Sequence, residues 1–418
     1  MRANLIAALL GMLCVVGCGG GGSLGSTGGS GGGGTTSGAN VQSVTVDTGP
    51  PAVANSPRPA VNTLYTTVTI CAPGTSTCQT IDHIQVDTGS SGMRIMASVL
   101  TISLPLATDS NNNVIAECVP FVDGSSWGPL RKADIKIASE IASNQSVQII
   151  GDPTYAVPST CSGTAENTVA TFGANGILGV GLFLQDCGQA CTVQSTSNPY
   201  YTCASGQPCA QTPIVLTQQV ANPVASFTTD NNGVIIELPS ATDTSAALSG
   251  SLIFGIGTQS NNGLGNAKIF TVGASGSLST TYNGNALDQS FIDSGSNAYY
   301  FPDSNIIPCP TGKDAIAPGF YCPTSTLNLS ASIVGGNGAS SNISFMVGDA
   351  VSMFTNNTTV GVAPALAGSS LSVNTSPSSG FNGNQTFDWG LPFYYGRSVS
   401  TAIEGQNTSA GMGPYFGF

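Results

Sequence analysis

Short runs of alternating apolar and polar residues occur through most of the chain, and Gly, Asn, Ser or Pro separates them. Because successive side chains of a strand point to opposite faces, this alternation predicts half-buried β-strands. Seven runs rich in β-branched residues carry the prediction: LYTTVTI, IDHIQV, KADIKIA, SVQIIG, GVIIEL, SLIFGIG and ASIVGG. Long helical periodicity is missing from the sequence. The pattern therefore predicts an all-β protein, built as a sandwich, a barrel or two β-lobes.

One segment, PIVLTQQVANPV at residues 213–224, is the best helix candidate. Pro223 restricts the backbone of the residue before it, so we expect this helix to end near Asn222. The two tryptophans, Trp127 and Trp389, are expected to pack in the interior rather than to form a platform for a sugar.

The first eighteen residues, MRANLIAALLGMLCVVGC, predict an export signal. They contain one basic residue, an apolar run too short to span a bilayer, and a small residue before Cys18. The ending VVGC resembles the lipobox of bacterial lipoproteins. This resemblance implies that Cys18 is lipidated and that Gly19, the next residue, favours sorting to the outer membrane. A cleaved secretory signal with an incidental cysteine is the alternative.

The next segment, residues 19–40, is rich in Gly and Ser and has too few apolar side chains to pack, so it predicts a flexible tether. We expect an N-terminal lobe at residues 41–243 and a C-terminal lobe at residues 244–418. The boundary should fall within PSATDTSAAL, residues 239–248. We expect an exported monomer that meets a membrane only through its lipid anchor.

Composition narrows the function classes. The chain has 418 residues, of which only 7% are charged, and its formal net charge is −12. Nucleic acid is an improbable partner for such a chain, because phosphates require a basic surface. Hydrophobic residues make up 40% of the sequence, which is enough for a sizeable core or two lobes. The scarcity of Lys and Arg suits exposure to acid, since few positive charges accumulate as carboxylates are neutralised.

Ten cysteines remain when Cys14 and Cys18 are set aside, and an even number in an exported protein predicts five disulfides. Proximity in sequence suggests the pairs Cys71–Cys78, Cys118–Cys161 and Cys309–Cys322, and it leaves open the pairing within a group of four: Cys187, Cys191, Cys203 and Cys209. The spacing of these four does not repeat a zinc pattern, and the chain has a single histidine, so we expect no metal site.

The tripeptide Asp-Thr-Gly occurs twice, in VTVDTGPPA and in IQVDTGSSG. After Asp47, Pro50 and Pro51 have no amide hydrogen, so we expect no hydrogen-bonded turn there and interpret Asp47 as the end of a strand. After Asp87, the chain offers amides, hydroxyls and a residue without Cβ: Thr88, Gly89 and Ser90. Only Asp87 is therefore predicted to have its carboxylate held by a turn.

A second such turn follows an apolar run in QSFIDSGSNAYYF, at Asp293, Ser294, Gly295 and Ser296. Two carboxyl groups that share a proton cannot both ionise easily, so one acts as a base and the other as an acid. Such a pair can activate a water for attack on a carbonyl. The alternative is ordinary turn chemistry in a chain rich in Ser, Thr and Gly.

The two motifs resemble the catalytic motifs of pepsin-like aspartic proteases, one from each lobe. YTTVTICAPGTSTCQTIDHIQVDTGSSGMRI is similar to that family's opening strand, hairpin and active-site loop, and NGILGVGLF and FDWGLPFYYGRSVSTAI are similar to the two segments that thread behind the aspartates. The resemblance covers most of residues 41–418. It implies a bilobal all-β fold with two barrel-like lobes and a few short helices, a dyad of Asp87 and Asp293 supported by the residues that follow each, a polypeptide substrate and no cofactor. The chain also resembles a bacterial family of exported pepsin-like proteins of unassigned function.

Several positions depart from the family pattern. FVDGSSWG places Phe121 where the flap usually has Tyr, Arg94 stands where Trp is usual, and Asp388 stands where an apolar residue is usual. We expect Phe121, Gly124, Ser125 and Arg94 to border the cleft, with Arg94 stacked on an aromatic ring. The changed flap keeps open a second function, a cell-surface module that binds a peptide or glycan without cutting it. The only histidine, His83, is expected to be a half-buried strand residue rather than a catalytic base.

Overall fold

The computed structural model describes residues 36–121, 124–195, 198–312, 315–356, 359–369 and 383–418. The predicted signal segment with Cys18 and most of the predicted tether lie outside these residues. Within the described part of the chain, no helix is both long and apolar enough to cross a membrane.

Strands make up most of the regular structure, as the alternating pattern predicts, and each of the seven predicted runs lies wholly or largely in a strand. The strands are β1 Val41–Val46, β2 Leu64–Cys71, β3 Cys78–Asp87, β4 Ser91–Met96, β5 Val114–Pro120, β6 Ser125–Ile137, β7 Glu140–Ile150, β8 Gly176–Val180, β9 Tyr200–Cys203, β10 Ala210–Gln211, β11 Gly233–Leu238, β12 Leu248–Phe254, β13 Ile269–Thr271, β14 Leu278–Tyr282, β15 Asn285–Ile292, β16 Tyr299–Tyr300, β17 Leu327–Val334, β18 Ser340–Val347, β19 Ala367–Gly368, β20 Asp388–Trp389, β21 Arg397–Ala402, β22 Asn407–Thr408, β23 Gly411–Met412 and β24 Tyr415–Gly417.

The helices are short. They are α1 Pro51–Ala54, α2 Val169–Phe172 and α3 Ala350–Asn356, with 3-10 turns at Gly188–Thr192, Leu216–Gln218, Pro223–Ser226, Gly383–Gln385 and Leu391–Tyr394.

The helix predicted over residues 213–224 is wrong. The segment forms two separate 3-10 turns, and Asn222 begins the second one by accepting a hydrogen bond from Val224 N at 3.1 Å. Tertiary anchors override the local preference, because the Gln219 and Asn222 side chains are buried and donate to backbone carbonyl groups elsewhere in the fold. Pro223 suits the first position of the second turn, where its missing amide hydrogen costs nothing.

Two large sheets organise the chain. The first has fifteen strands in the order β10-β9-β5-β6-β7-β4-β8-β3-β2-β1-β12-β11-β21-β24-β13, and the second has seven in the order β18-β17-β14-β15-β20-β16-β19. In the first sheet, β1 from the start of the described chain pairs antiparallel with β12, so that early and late strands share one surface. The lobe boundary at residues 239–248 remains a prediction, and it lies where β11 gives way to β12 within this shared part.

The same threading occurs once in each sheet. Strand β8 lies between β3, to which it is parallel, and β4, to which it is antiparallel. Strand β20 lies likewise between β15, to which it is parallel, and β16, to which it is antiparallel. Each threaded strand therefore supports the end of a strand that is followed by a motif turn. This repeated arrangement, in a mostly β chain with two large sheets and a few short helices, agrees with the all-β fold class that the sequence predicts.

Both tryptophans lie in the interior, as predicted, with exposed fractions of 1% for Trp127 and 0% for Trp389. Trp389 stacks on Phe387 with ring centroids 4.1 Å apart, and its indole nitrogen donates to Thr280 Oγ1 at 3.0 Å. The indole nitrogen of Trp127 donates to Tyr155 O at 2.9 Å. Each ring thus buries its apolar surface while its single donor stays paired.

Five disulfides cross-link the described chain: Cys71–Cys78, Cys118–Cys161, Cys187–Cys191, Cys203–Cys209 and Cys309–Cys322. The group of four cysteines whose pairing the sequence leaves open forms two local pairs. Disulfides persist in oxidising compartments, so five of them indicate an exported protein.

Candidate active site

Asp87 and Asp293 occupy equivalent positions at the ends of β3 and β15. Gly89 N donates to Asp87 Oδ1 at 2.7 Å, and the Ser90 hydroxyl donates to Asp87 Oδ2. The second turn repeats this pattern, since Gly295 N donates to Asp293 Oδ1 at 2.7 Å and Ser296 Oγ donates to Asp293 Oδ2 at 3.1 Å. Each carboxyl group is therefore held by one amide and one hydroxyl from its own turn.

The two turns face each other at close range across glycines. A Cβ atom built on Gly89 would lie 2.7 Å from the Asp293 carboxyl carbon, and one built on Gly295 would lie 2.5 Å from Asp87 Oδ1. No real Cβ atom tolerates such distances. The structure thus brings together the two aspartates that the sequence selects, and the absence of a side chain at both glycines allows it.

Reciprocal hydrogen bonds lock the turns together behind the carboxyl groups. Thr88 N donates to Ser294 Oγ at 3.1 Å, and Ser294 N donates to Thr88 Oγ1 at 3.0 Å. Ser294 Oγ in turn donates to Val86 O at 2.9 Å. Thr88 and Ser294 are buried, so these bonds satisfy groups that water does not reach. Four of the predicted supporting residues therefore bond to a carboxyl group of the pair, and Thr88 and Ser294 hold the two turns together.

The electrostatics of the pair favour one bound proton. Burial raises the pKa of the Asp293 carboxyl well above its usual value, and the adjacent charge of Asp87 raises this pKa further. The amide of Gly295 opposes these effects by donating to the charged form. Asp87 is 5% exposed, so its carboxyl group is also shielded from water. Such a pair offers a base and an acid side by side.

Two residues that the motif analysis did not select also belong to the site. Tyr394 Oη lies 2.9 Å from Thr88 Oγ1. Burial raises the pKa of Tyr394 well above its usual value, and the nearby carboxylates raise it further. Asp388 is fully buried behind the pair, and burial raises its pKa well above its usual value too. The sequence could have indicated Asp388, because it is an acidic residue at a position where an apolar residue is usual.

Comparison with known proteins places the chain in a family. The profile of a family described as "Protein of unknown function (DUF3443)" matches residues 36–418. The chain belongs to this family. Among solved structures, an aspartic proteinase from Irpex lacteus is similar at 16% sequence identity with a TM-score of 0.49, and the match covers 90% of this chain and 96% of that one. Curated proteins give no match.

The hairpin of β5 and β6, which the sequence predicts to be the flap, pairs antiparallel up to Pro120 and Ser125. Phe121 N donates to Gly124 O at 2.8 Å, and Ser125 N donates to Thr164 O at 2.8 Å. The Phe121 ring packs edge-on against Phe172, with ring centroids 5.6 Å apart. These contacts join Phe121 to its own hairpin and to α2.

Arg94 is buried instead of bordering an open cleft, and among the described residues its guanidinium does not stack on an aromatic ring. Its side chain is 1% exposed and forms ion pairs of 2.7 Å with Asp186 and 3.3 Å with Glu117 on β5. Tyr200 Oη donates to the other oxygen of Asp186 at 2.7 Å. The reason is energetic, since a buried guanidinium requires charged partners, and a ring would leave its charge uncompensated.

The other copy of the tripeptide in this DUF3443 chain lies apart from the pair. Asp47 accepts a hydrogen bond from Gly49 N at 2.8 Å. Its other carboxyl oxygen lies 3.5 Å from His83 Nε2. The expectation that no hydrogen-bonded turn forms there is wrong, because Gly49 precedes the prolines and supplies the amide, and Pro51 begins α1. His83 is 24% exposed in β3, which agrees with its interpretation as a half-buried strand residue.

Proposed function

We propose that this DUF3443 protein is an aspartic endopeptidase in which Asp87 and Asp293 activate water for attack on a peptide bond. One observation carries the proposal: two carboxyl groups, each held by its own amide and hydroxyl, meet across Gly89 and Gly295. A fold that only binds a ligand has no need to place two acids at such close range, where one of them must keep its proton.

In the proposed reaction, Asp87 is the charged base and Asp293 is the protonated acid, because the pKa of Asp293 is raised by burial and by the charge of Asp87. Asp87 takes a proton from water, and the resulting hydroxide oxygen forms a bond to the peptide carbonyl carbon. Asp293 donates its proton to the carbonyl oxygen. The tetrahedral intermediate then breaks its C–N bond as Asp87 gives its proton to the leaving amine, and one hydroxyl of the intermediate returns its proton to Asp293 as the carbonyl group re-forms. The active pH range should be acidic, because the pair must hold a single proton.

The test is cleavage of a denatured protein substrate between about pH 2.5 and pH 7, the range in which carboxyl pairs titrate. We expect cleavage in acid by the wild-type protein. Asp87→Asn and Asp293→Asn should each lower kcat/KM by at least about a hundredfold, since each removes a proton-transfer group.

Asp47→Asn is the matched control, because Asp47 begins the other copy of the tripeptide Asp-Thr-Gly and contacts His83 instead of the pair. This variant should cleave like the wild type. A folded wild-type protein that cleaves nothing at any pH would overturn the proposal and favour the alternative, a module that binds a peptide or glycan in the same cleft.

The export signal, the lipid on Cys18 and the attachment to the outer membrane stay predictions. Globomycin, which blocks removal of lipoprotein signal segments, and metabolic labelling with a radioactive fatty acid would test them together. Labelling of the wild-type protein that Cys18→Ala abolishes is the expected result, and equal labelling of both proteins would contradict it.

A further inference from the structure

Arg397 is a cation without an acidic partner in an acidic protein. The sequence has 21 acidic and 9 basic residues, yet none of the ion pairs among the described residues includes Arg397. Burial lowers the pKa of its guanidinium, and the nearby Tyr299 opposes this shift. A charge that is withdrawn from water is usually paired in proteins, so the lone guanidinium needs an explanation.

Phe393 holds the guanidinium of Arg397 in place. Nη1 donates to Phe393 O, and Cζ lies 4.6 Å from the centre of the Phe393 ring. Among the described residues, the other two nitrogens of the guanidinium have no hydrogen-bond partner, and neither is sealed from solvent. An arginine that is fixed in orientation while part of its fork stays free can bind a planar anion through two parallel hydrogen bonds.

Arg397 lines a pocket of about 450 Å³ between the two large sheets. It begins β21 of the first sheet, and the facing wall includes Leu329 on β17 and Phe345 on β18 of the second sheet. Small-molecule sites have volumes in this range. None of the residues that line the pocket belongs to the two motif turns, so the pocket is separate from the candidate active site.

Tyr299 is a second donor in this pocket. It is 4% exposed, and among the described residues its hydroxyl has no hydrogen-bond partner. Burial raises the pKa of this hydroxyl, and the nearby charge of Arg397 opposes the shift. Tyr395 also lines the pocket, but its hydroxyl already donates to Asn62 Oδ1 at 2.8 Å. Tyr299 therefore offers an O–H group that the described part of the fold does not use.

The walls of the pocket determine which anion fits. Arg397 is the only charged side chain among the described residues that line it, so one negative charge would balance the site. A phosphate with two negative charges would need a further cation. The apolar side chains of Leu329, Phe345 and Pro392 offer an apolar group the burial that it gains on leaving water. A carboxylate that carries an apolar group meets both conditions.

We propose that this pocket binds a carboxylate that carries an apolar group, and that Arg397 and the Tyr299 hydroxyl hold the carboxylate. Two sources supply this chemistry, the C-terminal end of a peptide whose last residue is apolar and a free fatty acid. The inference goes beyond the proposed function and does not depend on it.

The test is equilibrium dialysis of the full chain against radioactive N-acetyl-leucine, which represents the peptide end, and radioactive octanoate, which represents the fatty acid. At least one of them should bind with a Kd of about 1 mM or lower, the range for one ion pair and one buried apolar group. The acid that binds more tightly identifies the source. The neutral amides of both compounds should bind at least about tenfold more weakly, because they lack the charge. No binding of either acid, or equal binding of acid and amide, would overturn the proposal.

Two substitutions test the donors. Arg397→Met keeps an apolar stem without the charge and should raise the Kd at least about tenfold, and Tyr299→Phe keeps the ring and should raise it about fivefold. Arg58→Met is the matched control, because Arg58 is an exposed arginine that also donates to a single carbonyl group, Ala315 O, at 3.0 Å. It should bind like the wild type. A folded Arg397→Met that binds as tightly as the wild type would overturn the proposal.

Tyr299→Phe also separates two pockets. Arg397 lines a second pocket of about 330 Å³, and no tyrosine is among the described residues that line that one. Weaker binding in Arg397→Met with unchanged binding in Tyr299→Phe would place the ligand there and overturn the assignment. Should Arg397→Met fail to fold, Arg397→Lys keeps the charge without the planar fork and should raise the Kd about fivefold or more. Unchanged binding in both Arg397→Lys and Tyr299→Phe would then overturn the proposal.

A last comparison separates this site from the proposed active site. Asp87 does not line the pocket, so Asp87→Asn should bind the acid as the wild type does, whether or not the wild type cleaves protein. A carboxylate that no longer binds to a folded Asp87→Asn would occupy the candidate active site instead, which would overturn the proposal.

Discussion

Two glycines set how closely the two carboxyl groups approach. A Cβ atom at Gly89 or Gly295 would enter the carboxyl group of the opposite turn. We expect Gly89→Ala and Gly295→Ala each to lower kcat/KM by at least about a hundredfold, because acid–base geometry is lost. The free energy of unfolding should fall by only about 1 to 3 kcal/mol, the usual cost of overpacking. Cleavage assays and urea titrations measure the two effects.

Gly263→Ala is the control for both variants, because a Cβ atom there meets nothing within 4 Å. It should match the wild type in cleavage and in stability. Full activity in Gly89→Ala or Gly295→Ala would contradict the close approach of the turns.

The hydroxyl of Ser294 holds two buried backbone groups. Ser294→Ala removes the hydroxyl that accepts from Thr88 N and donates to Val86 O, and both residues are at most 3% exposed. Each unpaired group costs about 1 to 3 kcal/mol, so we expect the free energy of unfolding to fall by about 2 to 5 kcal/mol. Ser279→Ala, which removes an exposed bond to Asp288, should change it by less than about 1 kcal/mol. Equal unfolding midpoints in urea for these two variants would argue against the interlocked turns.

At the scale of elements, Arg94 ties β4 to the flap strand β5 through Glu117 and to the loop that carries Asp186. Burial raises the pKa of Glu117 well above its usual value, and Arg94 opposes this shift. Arg94→Met would remove the positive charge that pairs with Glu117 and Asp186. We expect it to lower the free energy of unfolding at neutral pH by about 3 to 5 kcal/mol.

Arg131→Met is the matched comparison, because the Arg131 pair with Asp152 is partly exposed and 3.3 Å long. It should cost less than about 1 kcal/mol in the same urea titration. A loss in Arg94→Met no larger than in Arg131→Met would mean that the buried acids carry no charge in the folded protein.

Elements differed in how well their sequences predicted them. The strands were predictable because period-two alternation acts locally, and each predicted run lies in a strand. The conformation of residues 213–224 was not predictable, because the Gln219 and Asn222 side chains donate hydrogen bonds to the distant carbonyl groups of Gly188 and Gly181. The environment of Arg94 was not predictable for the same reason, because its partner Asp186 is distant in sequence and contacts it only in the folded chain.

At the scale of the whole molecule, buried acids set how stability varies with pH. The pKa values of Asp293 and Asp388 are raised, chiefly by burial. A raised pKa means that the folded state holds protons which the unfolded chain releases above about pH 4, so the stabilisation is complete below that pH and is lost as the pH rises. We expect the free energy of unfolding to be greatest near about pH 4 and to fall toward pH 7, by up to about 1.4 kcal/mol per proton and pH unit.

Carboxyl groups with lowered pKa values have the opposite effect on the free energy of unfolding, and this effect begins only at a lower pH. The pKa values of Asp47, Asp109 and Asp152 are lowered despite their partial burial, by hydrogen bonds and nearby cations, so the stabilisation they give is lost as the pH falls below about 4. Urea titrations at about pH 4, 5.5 and 7, with the disulfides intact, measure the result. A free energy of unfolding that rises from pH 4 to pH 7 would contradict the assignment of neutral buried acids.

The sequence by itself determined the β-rich class and the even set of cysteines, because alternation is a local property and the number of cysteines is fixed by the sequence. Only the tertiary structure decided that Gly89 faces Asp293, that Thr88 and Ser294 interlock, and that Asp388 is fully buried. These contacts join residues about two hundred or more positions apart or lie across threaded strands. A local pattern carries no information about which distant group fills the space beside it, and burial, which sets the pKa of each acid, exists only in the folded chain.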